Sequence, residues 1–584
     1  MKELFPVEPM RSSLLDKLWD LQNNNRYISN SDISHLAAEL NISAVEVEGV
    51  VSFYHFFHRK PSGKYTIYID DSIIARYKGY HRIVEAFERE TGATLGSVDR
   101  TGTFGLFNTP CIGLSDQAPA VLINFRPFTQ INVIKVKELV QQLRNGVDID
   151  QMYHPPVSNV CTTIYSKKNI FFNSYTPGKA VKELTKHTSD DILSLLRDTN
   201  LSGRGGAFYP TWKKWEACRS YTADYKFIVC NADEGEPGTF KDRVLLQELP
   251  GLLIEGMIIS GFTVNAQYGI IYLRGEYWWL YDQLQKTIDE FYKLGMLGTD
   301  IVGISGFNFD VRIQMGAGAY VCGEETAMLE SMEGHRGEPR TKWFYPVEKG
   351  YLKSPTIINN VETICAAARI VELGVNEYNK TGLPGSPGTK LISVSGDCQN
   401  PGVYEIPWGI TVAELLELCV AVDPYYIQVS GPSGECISIN EKFRRISMLD
   451  LLGLPDLRCG GSFMIFNKER EIIDILLNFA SFFKKESCGI CTPCRAGNFI
   501  IERKLEKLKN KLARQSDIDD MISWGHIIKT TSRCGLGKTS CNSLVMAMQK
   551  FGGYFDKLID KKEDSLMVGF NIEEAVADYE QYKS

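Results

Sequence analysis

The chain has 584 residues, 64 Lys and Arg against 71 Asp and Glu, and a formal net charge of −7. That length predicts about four domains, and 44% hydrophobic with 23% charged residues excludes a disordered or collagen-like chain. The mildly acidic balance excludes a general nucleic-acid binder, which needs a basic face to displace counterions.

Residues 13–57 read as helices. Leu14, Leu15, Leu18 and Leu21 recur at helical spacing, and Ser43 with Glu46 has the form of a capping box before Val47, Val50 and Val51. Pro61-Ser-Gly63 breaks the pattern. A strand over 65–69, a helix over 81–90, a strand over 120–125 and a helix over 133–143 predict a small α/β domain. Residues 145–176, with His154-Pro-Pro156 inside, read as a linker or wrap-around segment. Strands and helices alternate again over 177–373, with Gly-rich turns between them. After a turn-rich boundary at 378–388, residues 391–453 are strand-rich and short, as in a β-grasp-like domain. From 472 onward the chain reads as helical, for example 499–512 with Leu505, Leu508 and Leu512.

No apolar run reaches the ~20 residues of a spanning helix; residues 251–262 come nearest and contain Glu255. The N-terminal MKELFPVEPMRSS has no apolar signal core. Fifteen cysteines in such a chain point to a reducing, cytoplasmic setting with some metal-ligating thiolates, rather than to a disulfide framework.

Cys488-Gly-Ile-Cys491-Thr-Pro-Cys494 is the sharpest local signal. Three thiols at this spacing can each hold a different iron of a four-iron cubane. The fourth ligand must come from elsewhere. Cys534, flanked by Gly535 and Gly537 whose backbone N–H groups can approach a sulfur, is the best candidate, with Cys541 as competitor. A zinc site and buried structural thiols are the other readings. Most remaining cysteines (218, 230, 322, 365, 398, 419, 436 and 459) sit among apolar residues and read as core.

Three loops carry ligand chemistry. Gly203-Arg-Gly-Gly206 can close backbone N–H groups on a phosphate, with Arg204 and Lys214 adding charge; a tight turn is the plainer reading. Gly316-Ala-Gly-Ala-Tyr-Val-Cys-Gly323, between a strand over 309–314 and a helix over 324–332, has the form of a nucleotide phosphate site, though not a strict G-x-G-x-x-G. Cys230-Asn-Ala-Asp-Glu-Gly-Glu-Pro-Gly238 places Asn231, Asp233, Glu234 and Glu236 at a strand's carboxyl end, where open α/β sheets bind ligands. Its acidic turn is also compatible with plain solvation. Asn359, Asn360 and Thr363 add a polar turn before a helix. Gly535-Leu-Gly-Lys-Thr539 resembles a P-loop end, but Ser532 stands where that motif needs Gly.

The stretches 203–207, 230–243, 316–340, 355–363 and 486–497, in this order, resemble the 51-kDa-type flavoprotein subunits of NADH dehydrogenases. Together with Cys534 the resemblance covers roughly 177–550. It implies FMN and NAD(H) in one cavity and electron passage to a [4Fe-4S] cluster on Cys488, Cys491, Cys494 and Cys534. It also implies that Gly203, Arg204, Gly205, Gly206, Lys214, Asn231, Asp233, Glu234, Tyr320, Gly323, Asn359, Asn360 and Thr363 lie at the flavin. Glu236 is then placed for the nicotinamide carboxamide, and Glu324, Glu325, Lys342 and Tyr345 for the nucleotide. Glu236 and Glu325 are the candidate catalytic residues, although hydride transfer takes no proton from carbon and needs no general base. The chain departs from the family at Phe208 and Trp212, where Gly is usual, and at Lys342-Trp-Phe-Tyr345, where the family has Lys-Pro-Pro-Phe. Phe208 and Trp212 are expected to crowd or stack on a ligand.

Residues 1–145 resemble the family's 24-kDa-type partner, whose thioredoxin-like domain holds a [2Fe-2S] cluster on four cysteines. Here Asp70 and Ala75 stand at the first cysteine pair, and Cys111 is followed by Ser115 at the second. One thiol cannot hold that cluster, so the domain is expected to be structural. This fusion resembles the diaphorase subunits of soluble NAD-reducing [NiFe] hydrogenases. It implies an Fe-S electron-transfer partner and hydrogenase subunits, since no nickel-ligand motifs occur here. Flavoprotein subunits of NADH:quinone oxidoreductase or of NAD-dependent formate dehydrogenase, and a non-catalytic Fe-S or zinc scaffold, are the alternatives. The expected multidomain α/β architecture is a helical lead (1–62), a clusterless thioredoxin-like domain (63–146), an FMN- and NAD-binding α/β domain (147–375), a β-grasp-like domain (388–465) and a helical [4Fe-4S] domain (466–584).

Overall fold

The computed structural model describes residues 4–161, 169–448 and 456–560. The lead forms helices Leu14–Asn25, Asn30–Leu40 and Ala44–Val51. Reciprocal capping boxes start the last two, Ser29 with Asp32 and the expected Ser43 with Glu46. The lead packs directly into the later domains. Trp19 lies on Phe56, Phe57, Phe125 and Trp278, and its indole N–H donates to the carbonyl of Gly316 at 3.2 Å. Buried Glu8 receives Arg312 and the Tyr351 hydroxyl.

The next unit is a five-stranded sheet with helices Tyr80–Thr91 and Val133–Arg144 packed on it. Tyr65–Asp70 lies at its centre, parallel to Phe104–Thr109 and antiparallel to Val121–Ile123. The sequence reading missed Phe104–Thr109, which breaks its apolar alternation with Gly105 and Asn108. It also overran the strand at 120–125, because Asn124 and Phe125 take φ of 47° and 63° and turn the chain into Arg126–Phe128.

Four parallel strands, in the order Thr356–Asn360, Phe227–Ala232, Tyr268–Leu273 and Asp310–Met315, form the central sheet. The apolar helix Pro250–Val264 is buried against it. Its Glu255 is fully buried and accepts from the backbone N–H groups of Gly178, Ala180 and Val181 and from the Tyr175 hydroxyl. A charge so thoroughly bonded marks a core helix. Among the described residues no single helix is long and apolar enough to cross a membrane.

A six-stranded sheet comes next, with Ser462–Asn467 parallel to Thr389–Gly396 and helix Val412–Leu418 beside it. Val160–Cys161, from the expected linker, adds its edge strand. The described residues from 472 to 560 are mainly helical, with Ile472–Glu486, Thr492–Lys509 and Gln515–Thr531 as the long members. Leu505 and Leu508 are buried as expected, but the second of these helices ends at Lys509 and Leu512 is 63% exposed. Parts of the expected limits, 449–455 and 561–584, lie outside the described residues.

Candidate functional site

A cavity of about 610 Å³ opens at the carboxyl ends of Phe227–Ala232 and Thr356–Asn360. Gly205, Gly206, Asn231, Asp233, Glu236, Tyr320, Gly323 and Asn360 line it together. Gly206 has φ of 105°, a conformation side chains rarely adopt, and a Cβ on Gly205 would lie 3.2 Å from Asn360. The loop is therefore bare backbone facing the cavity. Asp233 Oδ2 is buried without a partner, and burial pushes its carboxyl up to about 8. Glu236 accepts from the Ser433 N–H at 2.8 Å and from the Tyr320 hydroxyl at 2.5 Å; burial pushes it up to about 7.

Several expected residues support this cavity without turning toward it. The Arg204 guanidinium donates to the Thr389 carbonyl at 2.8 Å and to the Tyr378 hydroxyl at 3.2 Å, so it staples the loop to the six-stranded sheet. Thr363 holds the same loop by accepting from the Arg204 N–H at 2.9 Å. Asn359 accepts from the Trp215 indole, and Gly203 N–H donates to the Tyr209 carbonyl. Lys214 is paired with Glu325 at 3.0 Å and donates to the Ile358 carbonyl, behind the cavity wall. Glu234 lines the cavity and also accepts from the N–H groups of Asp242 and Arg243, anchoring the start of helix Lys241–Glu248. Glu324 reaches the cavity but also caps helix Glu325–Met332. Lys342 lies 4.0 Å from Glu324 at the surface, and Tyr345 is 66% exposed beside Trp343 and Phe344. Of the departures, Phe208 lines the cavity, whereas Trp212 lies under Arg197 and is not among the lining residues.

Of the stretch 316–323, Tyr320, Val321 and Gly323 line the cavity, whereas Gly316, Ala317 and Gly318 do not. Phe56 N–H donates to Ala317 and His55 N–H to Gly318, and a Cβ on Gly318 would meet the Phe56 ring at 2.7 Å. Those glycines admit the helical lead, not a phosphate. Conversely, the sequence reading missed Ser430, Ser433, Arg458 and Gly460 on the cavity wall. Gly431 belongs with them: a Cβ there would lie 2.4 Å from Glu236. Nothing local marks these residues, because they arrive from the next domain.

Cys488, Cys491, Cys494 and Cys534 line one small apolar pocket. Backbone N–H groups of Leu536 and Gly537 face the Cys534 sulfur, the Arg533 N–H donates to Cys491 at 3.4 Å, and Asn498 donates to Cys494 at 3.5 Å. Such donors stabilise thiolates. Cys541 packs instead in the C-terminal apolar core. Val321 and Leu536 line both this pocket and the larger cavity, so the two share a wall.

In the thioredoxin-like unit, Cys111 and Ser115 lie 3.9 Å apart, Asp70 accepts from the Ser72 N–H at 2.8 Å, and Ala75 is fully buried. One of the four expected thiols, Cys111, remains.

A parallel α/β sheet with a glycine-walled cavity, sharing a wall with four clustered thiols, defines a flavin and iron–sulfur subunit of an NAD(H) oxidoreductase. Residues 196–369 match the model of the Nuo51 FMN-binding domain, residues 3–144 that of a thioredoxin-like [2Fe-2S] ferredoxin, and residues 474–558 that of the NADH-ubiquinone oxidoreductase-F iron-sulfur binding region. The chain is 43% identical to the NAD-reducing hydrogenase HoxS subunit alpha of Cupriavidus necator, over 98% of this chain and 96% of that one. It is 37% identical to an NADH-quinone oxidoreductase subunit of Aquifex aeolicus, over 66% and 90% respectively. A crystal structure of NAD+-reducing [NiFe]-hydrogenase in the H2-reduced state superposes with a TM-score of 0.88 at 32% identity, covering 99% of this chain and 97% of that one. The chain belongs to the alpha-subunit family of NAD-reducing hydrogenases.

Proposed function

We propose that this chain is the diaphorase subunit of an NAD-reducing hydrogenase. It exchanges electrons between NAD(H) and a partner through FMN and one [4Fe-4S] cluster. The observation that carries the reading is the shared wall: Val321 and Leu536 separate the glycine-lined cavity from the four thiols.

The residues present fit both groups. The Gly205–Gly206 backbone offers N–H donors to a phosphate, and the unpartnered Asp233 Oδ2 offers an acceptor inside the cavity. The four thiols, with donors already aimed at their sulfurs, suit a cubane. FMN supplies, when bound, the conversion between a hydride pair and single electrons, and the cluster their outlet. The protein's part is position and electrostatics. Glu236, fixed by Tyr320 and Ser433, would accept from the carboxamide of a bound nicotinamide. Glu324 and Lys342 stand toward the nucleotide end. Cys488, Cys491, Cys494 and Cys534 hold the cluster.

An Fe-S electron-transfer subunit and [NiFe] hydrogenase subunits complete the assembly. The cytoplasm is the compartment, a reading that rests on fifteen unpaired cysteines. The domain limits given above belong to the same reading. The test is spectroscopic. The purified chain should carry a flavin band that NADH bleaches under anaerobic conditions. A chain that takes up FMN yet is not bleached by NADH would overturn the assignment.

A further inference from the structure

The clusterless domain still reaches the acidic loop of the cavity. The connection runs through Arg274, which follows strand Tyr268–Leu273 and is buried. All three nitrogens of its guanidinium are engaged. Nη2 donates to the Cys111 carbonyl at 2.7 Å, Nη1 to the Glu234 carbonyl, and Nε to the Glu276 carboxylate at 3.0 Å. Glu276 also balances the charge, 2.8 Å from Nη2. One planar cation thus spans two backbone carbonyls, one in each domain. A lysine ammonium has no such fork and cannot hold both at these positions.

Two neighbouring contacts run the same way. The Tyr277 hydroxyl donates to the Glu234 carboxylate at 3.0 Å. Gly113 packs so closely on it that a Cβ there would lie 2.2 Å from the Tyr277 hydroxyl oxygen. Arg243, whose N–H donates to Glu234 at 3.0 Å, is paired through its guanidinium with Asp116 at 3.0 Å. Glu234 is therefore held at its carbonyl and at its carboxylate by residues that segment 111–116 itself touches. Asp233 and Glu236 stand on either side of it, and all three line the cavity. Asp233 and Gly235 also share a smaller pocket with Thr109, Pro110 and Cys111. A displaced Glu234 peptide must carry its neighbours with it, because the chain between them is continuous.

We propose that Arg274 is a positioning residue through which the clusterless domain sets the acidic loop for nicotinamide binding. The inference rests on the function proposed above. Arg274 does not line the cavity, so it acts through Glu234 and not on the ligand. The domain without its cluster then keeps a part in the site: it fixes the far end of the guanidinium bridge. Losing the bridge loosens the loop for NAD(H) and leaves the glycine backbone of Gly205 and Gly206, on another segment, free to hold FMN.

The experiment uses the full chain carrying FMN and its cluster, as wild type, Arg274→Lys and Arg274→Gln. Lys keeps the charge and loses the two-carbonyl span, so the pair separates charge from geometry. With ferricyanide as electron acceptor, both variants should raise KM for NADH roughly tenfold, the weight of one charge-assisted hydrogen bond, and keep kcat within about twofold. FMN content should match wild type. An unchanged KM in Arg274→Lys, or FMN loss that accounts for the whole defect, overturns the proposal. Hydrogen exchange on the wild-type chain gives a second measurement that needs no variant. Coupling between sites is reciprocal, so NAD+ that slows amide exchange over 230–238 should slow it over 109–117 as well. Slowing confined to 230–238 overturns the proposal even if neither variant folds. A wild-type flavin that NADH does not bleach overturns the function and this inference together, whereas bleaching with an unmoved KM overturns the role of Arg274 alone.

Discussion

Glu236→Gln separates the electrostatics of the acidic loop from its shape. Burial raises the Glu236 carboxyl from 4.5 to about 7, a difference of roughly 2.5 units or about 3 kcal/mol at ~1.4 kcal/mol per unit. The sign follows from linkage. A carboxyl raised in the folded state binds more protons there than in the unfolded chain, so it costs stability as pH climbs from the unfolded value of 4.5 to about 7. Gln keeps the acceptor for Ser433 N–H, and its amide can donate to the Tyr320 oxygen, so truncation of contacts costs about 1 kcal/mol. The cofactor-free variant should therefore be less stable than wild type near pH 5, by that ~1 kcal/mol, and more stable near pH 8 by about 2 kcal/mol. For a cooperative unit of about 200 residues the crossover spans roughly 6–12 °C in Tm. Thermal unfolding of both proteins at matched ionic strength from pH 5 to 8 reads it directly. Parallel Tm curves would refute the raised carboxyl. The same variant should retain FMN and lose roughly 1–3 kcal/mol in NADH turnover through its altered contact with ligand.

Cys534→Ala should abolish the four-iron electron paramagnetic resonance signal while Cys541→Ala, in a separate apolar core, leaves it; loss of signal in Cys541→Ala alone would reverse the ligand assignment. Gly206→Val places a branched side chain at φ of 105° beside the cavity, and should give folded protein by circular dichroism with little bound FMN. Iron counting should give about four irons per FMN, the content of one [4Fe-4S] cluster; about six irons, with a [2Fe-2S] signal surviving Cys488→Ala, would show that the Asp70 and Cys111 region still holds metal. Deleting residues 1–145 removes Trp19 and Phe56 from the core under Gly316 and Gly318, and should impair solubility and assembly more than reduction by NADH. A truncated chain that assembles normally but is not reduced would contradict that.

Local chemistry was legible in the sequence wherever neighbours in the chain are neighbours in space. The capping box at Ser43, the Cys488–Cys494 run, the glycines at 205 and 206 and the acidic turn after Val229 all act over a few residues, and residue type and spacing alone define them. The alternation of strands and helices was legible too, since apolar periodicity switches between the two along the chain. What only the tertiary structure decided are the directions of side chains and the contributions of distant segments. Arg204 carries the right charge for a phosphate, yet its guanidinium turns to Thr389 and Tyr378, groups 185 and 174 residues away. Gly316 and Gly318 read as a phosphate turn because a close approach of backbone to a ligand and to a packed helix both demand the absence of a Cβ; only the lead folded against them tells the two apart. Ser433 and Gly431 hold Glu236 from another domain, and no pattern within either loop records that contact. Burial itself, which moves Asp233 and Glu236 up toward neutrality, is a property of the closed cavity and exists only once all its walls have met.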